Sequence, residues 1–309
     1  MSAQLTVVKR PARRSRWSRA FLYVFLTFMA LVWLVPVVSA IYAAFRPYAE
    51  TQKYGIFSLP KALTLQNFKD AWTQGNMTHT FRNTMFIVIP SIVLILFFSS
   101  TMAFAVSRFS WRFNVALLLL FTAGNLLPAQ VIFQPLFQMF KATPWPDLLS
   151  DTDTGSLLGT KIAVIIVHVA FQTGFCTFVL SNYMKTIPKE LGEAALVDGA
   201  SVSRQFFQII MPLCRPVLAA LATLEFTWLY NDFFWGAVLL NQGDERPITS
   251  SISLLNGQYA TDYSLIAAAS TLIAIAKVGG FSLSIVPSET IVDRKPVKRA
   301  RGASEIRAL

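Results

Sequence analysis

Charged residues are scarce in this 309-residue chain, because Asp, Glu, Lys and Arg together make up only 14% of it. Soluble domains carry about 25%, so the composition argues against a soluble globular protein. Cysteine is also rare. Cys176 and Cys214 are the only two, which excludes a disulfide-based scaffold. Both lie in or beside apolar segments, and we interpret them as packing residues.

Histidine and the common catalytic motifs are missing as well. His79 and His168 are the only histidines, and their separation excludes HExxH and other two-histidine metal motifs. There is no Gly-Lys pair, hence no phosphate-binding P-loop, and neither CxxC nor GxSxG occurs. The sequence therefore predicts no catalytic residue, no metal ligand and no cofactor bound by this chain. Any uphill transport must draw its energy from an ion gradient or from a partner protein.

Apolar residues are what the sequence has in abundance, at 54% of the chain with 26 Phe. A helix needs about 20 mostly apolar residues to cross a bilayer. Six runs come close to that length, at residues 21–45, 82–106, 113–140, 162–183, 217–240 and 264–286. The pattern predicts an all-α membrane protein with six transmembrane helices. Pro128 and Pro135 predict a kink or an unwound turn in the third run.

The basic residues predict how these helices are oriented. With both termini in the cytoplasm, the inner segments hold 18 Lys and Arg and the outer segments hold 7, as the positive-inside rule requires. We therefore interpret the net charge of +11 as an orientation signal and not as a nucleic-acid-binding surface. Basic tails at 1–20 and 287–309 then flank a transmembrane domain at 21–286. Val38-Ser39-Ala40 resembles a signal-peptide cleavage site, but the apolar run before it is too long, so we expect a retained first helix.

The longest inner connection, residues 184–216, is too polar to enter the bilayer. Pro188 can begin a helix over 189–197, and Asp198-Gly199 is expected to end it, because glycine tolerates a left-handed backbone. A second helix is predicted over 201–211, with Pro212 stopping it. Two short helices with one apolar face have a shape suited to docking on another protein.

This connection resembles the EAA loop of ATP-binding-cassette (ABC) importer permeases. The family pattern is matched without a gap by Glu193-Ala194-Ala195, Asp198-Gly199-Ala200, Phe206, Ile209, Pro212 and Pro216. An ordinary amphipathic connector is the alternative, which ten fixed positions in register disfavour. Tyr230-Asn231-Asp232-Phe233 and Ala105-Val106-Ser107-Arg108-Phe109 are similar to further segments of the carbohydrate branch, specifically its second (MalG-like) permease subunit.

The resemblance implies a type I ABC importer permease fold in a bacterial cytoplasmic (inner) membrane, with several partners. These are a sister permease forming a heterodimer, two ATP-binding subunits that bind ATP and Mg²⁺, and an extracytoplasmic sugar-binding protein. The implied function is the permease subunit of a sugar importer, itself non-catalytic. A stand-alone secondary transporter or channel subunit is the alternative, and an amino-acid or peptide importer is disfavoured by the EAA spacing. The sugar itself stays open.

The resemblance also suggests roles in the loop. We expect Glu193, Asp198 and Arg204 to make polar contacts with an ATPase subunit. Small residues would allow close approach of the two backbones, namely Ala194, Ala195, Gly199 and Ala200. Phe206 and Ile209 would anchor the second short helix to the membrane domain before Pro212. The family likeness weakens after Ile275, and one hypothesis is an altered reading frame near Ala276, which resequencing the gene would test.

Polar residues within the apolar runs are candidates for a solute pathway, because buried polar groups are costly in a membrane. Asn125, Gln130, Gln134 and Gln138 lie in the third run, the last three at helical spacing. Hydrogen bonds between helices explain this stripe equally well. In the fifth run, Tyr230, Asn231 and Asp232 suit sugar contacts, although an interfacial aromatic belt is favoured. Glu225 is seven residues before Asp232 and is expected on the same helix face. We expect His168 to be an interhelical hydrogen-bond donor.

Overall fold

The computed structural model describes residues 16–55, 58, 61–109, 112–124, 128–146, 155–240, 245–255 and 262–292. Apart from one isolated bridge between Pro144 and Ser156, the regular structure of these residues is helical. In chain order the helices are α1 (Arg16–Ala44), α2 (Tyr48–Tyr54), α3 (Gln66–Gln74), α4 (Met77–Arg108), α5 (Asn114–Gly124), α6 (Ala129–Ala142), α7 (Lys161–Thr186), α8 (Glu190–Val197), α9 (Val202–Arg204), α10 (Met211–Leu213), α11 (Arg215–Tyr230), α12 (Phe234–Leu239), α13 (Ile248–Ser251) and α14 (Tyr263–Val292). The predicted all-α membrane architecture is confirmed.

Three helices in the described part of the chain are long and apolar enough to cross a bilayer, namely α1, α4 and α7. Two bent helix pairs raise the number to five if each pair is a single span. The apolar part of α14 at Tyr263–Gly279 is shorter, although the helix continues to Val292. The count of six spans and the inward orientation of both termini stay predictions. Helix α1 runs without a break through Ser39 and Ala40, at the site that resembles a signal-peptide cleavage point.

The centre of the fold is the pairing of α4 with α7. Ser91, Ser99 and Ser100 of α4 are fully buried, as is Cys176 of α7. Small side chains let two helix backbones approach closely, which is the usual basis of helix association in membranes. The hydroxyl of Ser91 donates to the carbonyl of Ile87 at 2.7 Å, so its burial leaves no hydrogen bond unmade.

The third apolar run is two helices and not one. Helix α5 ends at Gly124 and α6 begins at Ala129, directly after Pro128. The two helices are bent by 91° relative to each other, beside Pro128, for which the sequence predicts a kink or an unwound turn. Pro135 lies inside α6 and does not end that helix.

The fifth apolar run is also broken, and here the expectation of one helix over 217–240 is wrong. Helix α11 ends at Tyr230, and α12 begins at Phe234 after a three-residue interruption. Glu225 and Asp232 therefore do not share a helix face, because Asp232 lies in the interruption. Glu225 is buried inside α11. Spacing predicts a shared face only where the helix is continuous.

A buried arginine holds the end of α1 to the segment that follows. The side chain of Arg46 is 1% exposed and lies 3.2 Å from Glu50 across one turn. The same guanidinium donates to the Ser58 hydroxyl at 2.7 Å and to the Gly55 carbonyl at 3.2 Å. The Asn67 amide donates to the carbonyls of Ala44 and Arg46, at 2.9 and 2.7 Å. These contacts join α1, α2 and α3 into one unit.

Acid should weaken this unit through Glu50. The backbone N–H groups of Lys61 and Ala62 and the guanidinium of Arg46 stabilise its carboxylate and lower its pKa below the ordinary 4.5. A lowered folded-state pKa contributes stability above the unfolded pKa, and this is lost as the pH falls through the folded value. We expect the melting-temperature difference between the protein and Glu50→Gln to be constant near neutral pH and to shrink below about pH 4.5. A difference that stays constant down to pH 3 would contradict this assignment.

Candidate functional site

The first half of the loop is a short helix with a defined end. Helix α8 stops at Val197, and Gly199 follows with a φ of +75°. The Gly199 N–H donates to the Leu196 carbonyl at 3.0 Å, and the Ala200 N–H to the Ala195 carbonyl at 2.8 Å. This pair of bonds is the Schellman motif, which needs a left-handed residue at the glycine position. The predicted break at Asp198-Gly199 is therefore confirmed, and the Gln205 side chain steadies the bend by donating to the Ala200 carbonyl.

The second half of the loop departs from the predicted helix over 201–211. Ser201 caps α9, its hydroxyl accepting from the Arg204 N–H at 3.3 Å. A π-helical turn, Gln205–Ile210, follows, and then α10. Pro212 lies inside α10 and does not stop the helix, contrary to the prediction. The Met211 N–H pairs with the Phe206 carbonyl five residues back, a wider turn that accommodates the proline ring better than α-helical spacing does. The chain then bends by 73° before α11.

One side of the loop packs on the membrane domain. Phe206 is 7% exposed and its ring centroid lies 5.2 Å from that of Phe104 in α4. Ile210 is buried beside it, and Ile209 packs against the same hydrophobic cluster. Ala195 of α8 is buried as well. The two short helices are therefore held from one side, at the end of α4.

The exposed surface of the loop is partly apolar. Val197 is 88% exposed, Leu196 67% and Phe207 59%. Interspersed with them are exposed polar and small residues that the motif singles out, namely Glu193, Ala194, Asp198, Gly199 and Arg204. Arg204 donates to the Gln208 side chain at 2.9 Å along the helix. Exposed large apolar side chains among polar residues are typical of a protein-binding surface.

The glutamine stripe lies on α6. Gln130, Gln134 and Gln138 are all exposed on one face of this helix. Asn125, the fourth member of the predicted set, lies outside the described residues. Amide groups on an exposed face of a membrane helix need water or a partner protein.

Asp232 has a local role that the sequence patterns did not indicate. Its carboxylate accepts from the N–H groups of Trp235 and Gly236, at 3.5 and 3.3 Å, at the start of α12. The same carboxylate lies 3.8 Å from Nε2 of His168 in α7. An acid before a helix is a capping signal, but the apolar run at 217–240 predicts an unbroken span without a cap at this position. The contact agrees with an interhelical role for His168. Asn231, next to Asp232, is exposed.

Two further polar residues of α11, Tyr230 and Glu225, form hydrogen bonds with other helices of this chain. Tyr230 is fully buried and its hydroxyl donates to the Ile273 carbonyl of α14 at 3.1 Å. The Cys176 thiol of α7 donates to Glu225 at 3.2 Å. Cys176 thus contributes a polar contact besides filling space, which the sequence analysis missed. These contacts tie α11 to α14 and to α7.

A family model matches more than half of the chain. Residues 84–294 match the family model described as "Binding-protein-dependent transport system inner membrane component". This match extends past Ile275, further along the chain than the sequence motifs indicate.

Curated relatives carry sugar-related names. The arabinooligosaccharides transport system permease protein AraQ of Halalkalibacterium halodurans is 30% identical, over 80% of this chain and 85% of its own. The probable starch degradation products transport system permease protein AmyC of Thermoanaerobacterium thermosulfurigenes is 29% identical, over 77% and 81%.

A solved structure shares the fold. A chain of a bacterial ABC transporter involved in the import of the acidic polysaccharide alginate superposes with a TM-score of 0.66. It is 18% identical, and the match covers 91% of this chain and 97% of that one. The family match covers well over half of the sequence. The chain therefore belongs to the family of binding-protein-dependent transport system inner membrane components, and it is a multi-pass permease subunit of an ABC importer.

Proposed function

We propose that the importer served by this chain carries an oligosaccharide or a similar sugar-like solute. The names of its relatives support this, since they are permeases for arabinooligosaccharides, for starch degradation products and for diacetylchitobiose. The proposed assembly contains a sister permease, two ATPase subunits and an extracytoplasmic sugar-binding protein. A solved structural neighbour is described in complex with a substrate-bound periplasmic protein, which supports the last partner. ATP and Mg²⁺ would be bound by the ATPase subunits.

The main support for the proposal is the 184–216 loop, which has both packed and exposed residues. Its exposed side offers Val197, Leu196 and Phe207 with charged neighbours, and its other side is packed on α4 through Phe206. A surface of this kind can dock in a cleft of an ATPase subunit and pass the motion of that subunit to the membrane helices. In this proposal Glu193, Asp198 and Arg204 make polar contacts with the ATPase. The small residues, Ala194, Gly199 and Ala200, allow close approach.

Transmission would run through both ends of the loop. Pro212 and Ile209 belong to the segment that bends into α11, and α11 reaches Tyr230 and the interruption at 231–233. Tyr230 holds α11 to α14 and Glu225 holds it to α7. A displacement of the loop would therefore move α11 against two membrane helices.

The solute path is proposed to lie where this chain faces the sister permease. The exposed amides of Gln130, Gln134 and Gln138 support this, because they would otherwise face lipid. Asn231 and Asp232, at the interruption beside α12, are proposed to line the same path. In the corresponding domain organisation, the basic tails 1–20 and 287–309 lie in the cytoplasm with the 184–216 loop, on either side of the domain at 21–286.

Co-purification tests the proposal. The chain carries an affinity tag, is expressed in its native host and is isolated in mild detergent. We expect a second permease and an ATPase to be retained, and the reconstituted complex to take up an oligosaccharide only with ATP and a binding protein. A purified single chain that transports a sugar by itself would support the stand-alone transporter instead.

A further inference from the structure

Arg108 is the last residue of α4, and its side chain contacts the start of the 184–216 loop. Its guanidinium donates through Nη2 to the carbonyl of Met184 at 3.1 Å. Met184 is in the last turn of α7 and is the first residue of the 184–216 loop. The neighbouring Ser107 hydroxyl contacts the Met184 sulfur at 3.8 Å. The end of α4 is thus joined to the entry of the loop.

The exit of the loop belongs to the same packed region. Cys214 is fully buried at the bend between α10 and α11. Met184 and Cys214 belong to one hydrophobic cluster with Phe104 and Phe206. Thirty residues separate Met184 and Cys214 in sequence, so this cluster holds both ends of the loop.

Arg108 additionally lines a groove of about 230 Å³ between the membrane domain and the loop. Lys189, Gly192, Glu193 and Leu196 line it from the first half of the loop, and Val202, Gln205 and Ile210 from the second. The Nε atom of Arg108 is buried and has no hydrogen-bond partner among the described residues. Glu193, which is exposed, lines the same groove. The Nε–H group of Arg108 is therefore available to donate a hydrogen bond in a state in which the groove is narrower.

We propose that Arg108 is the positioning residue that makes the loop move as one body with α4 and α7 when an ATPase subunit closes. This proposal rests on the proposed function and adds a specific residue to it. A rigid connection matters, because a loop that could shift independently of α4 and α7 would absorb the motion of the ATPase. Arginine suits this place, since its planar group offers several donors in fixed directions.

Simple helix capping is the competing explanation. A cation near the C-terminal end of a helix stabilises that helix, whatever the helix does afterwards. Under that explanation, replacing Arg108 would lower the melting temperature and leave the number of ATP molecules used per solute unchanged. The positioning role predicts instead that the number of ATP molecules used per solute rises, because ATP is hydrolysed without transport.

The test uses the complex that co-purifies with the chain, reconstituted in proteoliposomes with its binding protein. For Arg108→Gln we expect assembly and basal ATP hydrolysis to be retained and ATP consumed per solute to rise about tenfold, in line with the loss of one charge-assisted hydrogen bond. Arg108→Lys should fall between, because it keeps the charge but not the fork of donors. Arg112→Gln is the matched control, since Arg112 stacks on Phe113 at 4.6 Å in the neighbouring turn, and it should leave the ratio unchanged.

Each result decides a separate point. If Arg108→Gln leaves the ATP-to-solute ratio unchanged in an intact complex, the positioning role is refuted while the proposed function stands. If Arg108→Gln does not assemble, Arg108→Lys decides by the same ratio, and a normal ratio in that variant refutes the role. If no ATPase co-purifies even with the unmodified chain, the proposed function itself fails.

Discussion

Gly199→Asp should reduce solute uptake by at least about a hundredfold, because it adds a charge at the docking surface as well as backbone strain. The strain alone is small: a left-handed backbone costs a non-glycine residue about 1–2 kcal/mol. A Cβ on Gly199 would meet no atom within 4 Å in this chain. The new carboxylate would therefore project into the space that the ATPase is proposed to fill. Burying an unpaired charge there costs several kcal/mol, so this second effect dominates.

Gly55→Asp is the matched control for that experiment. Gly55 has a φ of +81°, and a Cβ there would also meet nothing within 4 Å. It lies in the segment after α2, away from the loop. Because the ψ of Gly55 is 165°, a conformation that is accessible almost only to glycine, we expect at least as much strain as at Gly199 and still near-normal uptake. Radiolabelled solute uptake in cells, together with ATPase retention on the purified chain, measures both variants. Normal uptake by Gly199→Asp with solute-stimulated ATP hydrolysis would overturn the docking assignment.

Phe206→Ala should detach the second half of the loop from α4. Phe206 is 7% exposed and its ring lies 5.2 Å from the ring of Phe104. Removing a buried phenylalanine ring costs about 3–5 kcal/mol, since the lost burial is accompanied by a cavity. The loss should be local, appearing as faster amide hydrogen exchange over residues 201–213. Uptake should fall at least about tenfold, because a loose loop transmits less of the motion of the ATPase.

The adjacent Phe207 provides the control for stability. It is the same residue type, one position along, and is 59% exposed. Phe207→Ala should leave hydrogen exchange in the isolated chain within about 0.5 kcal/mol of the unmodified protein. Equal exchange rates in the two alanine variants would show that Phe206 does not anchor the loop.

Much of the fold could be predicted because bilayers impose simple rules. A run of apolar residues has to form a helix in lipid, where every backbone polar group must be bonded internally. The apolar runs therefore appear as α1, α4, α7 and the apolar part of α14. The glycine bend was also predictable, because the left-handed conformation at Gly199 is a local property of the backbone.

The positions at which helices end or are interrupted were harder to predict from the sequence. The sequence alone predicts that a helix ends at Pro212, but the π-helical turn before it lets the helix continue to Leu213. The run at 217–240 reads as one helix because its residues are apolar throughout, yet α12 starts at Phe234 and is capped by Asp232. Local propensities do not show whether the carboxylate of Asp232 accepts hydrogen bonds from backbone N–H groups of the next turn, or whether it lies beside a histidine of another helix.

The sequence alone determined that this is a membrane protein, that the residues of the 184–216 loop follow the importer pattern, and that Gly199 bends it. Each of these depends on composition or on contacts within a few residues. The tertiary structure alone decided that Phe206 packs on Phe104, that Tyr230 and Glu225 are bonded to α14 and α7, and that Arg108 joins the end of α4 to the start of the loop. Those contacts join residues from about 40 to 100 positions apart, and only the packing of the helices brings such residues together.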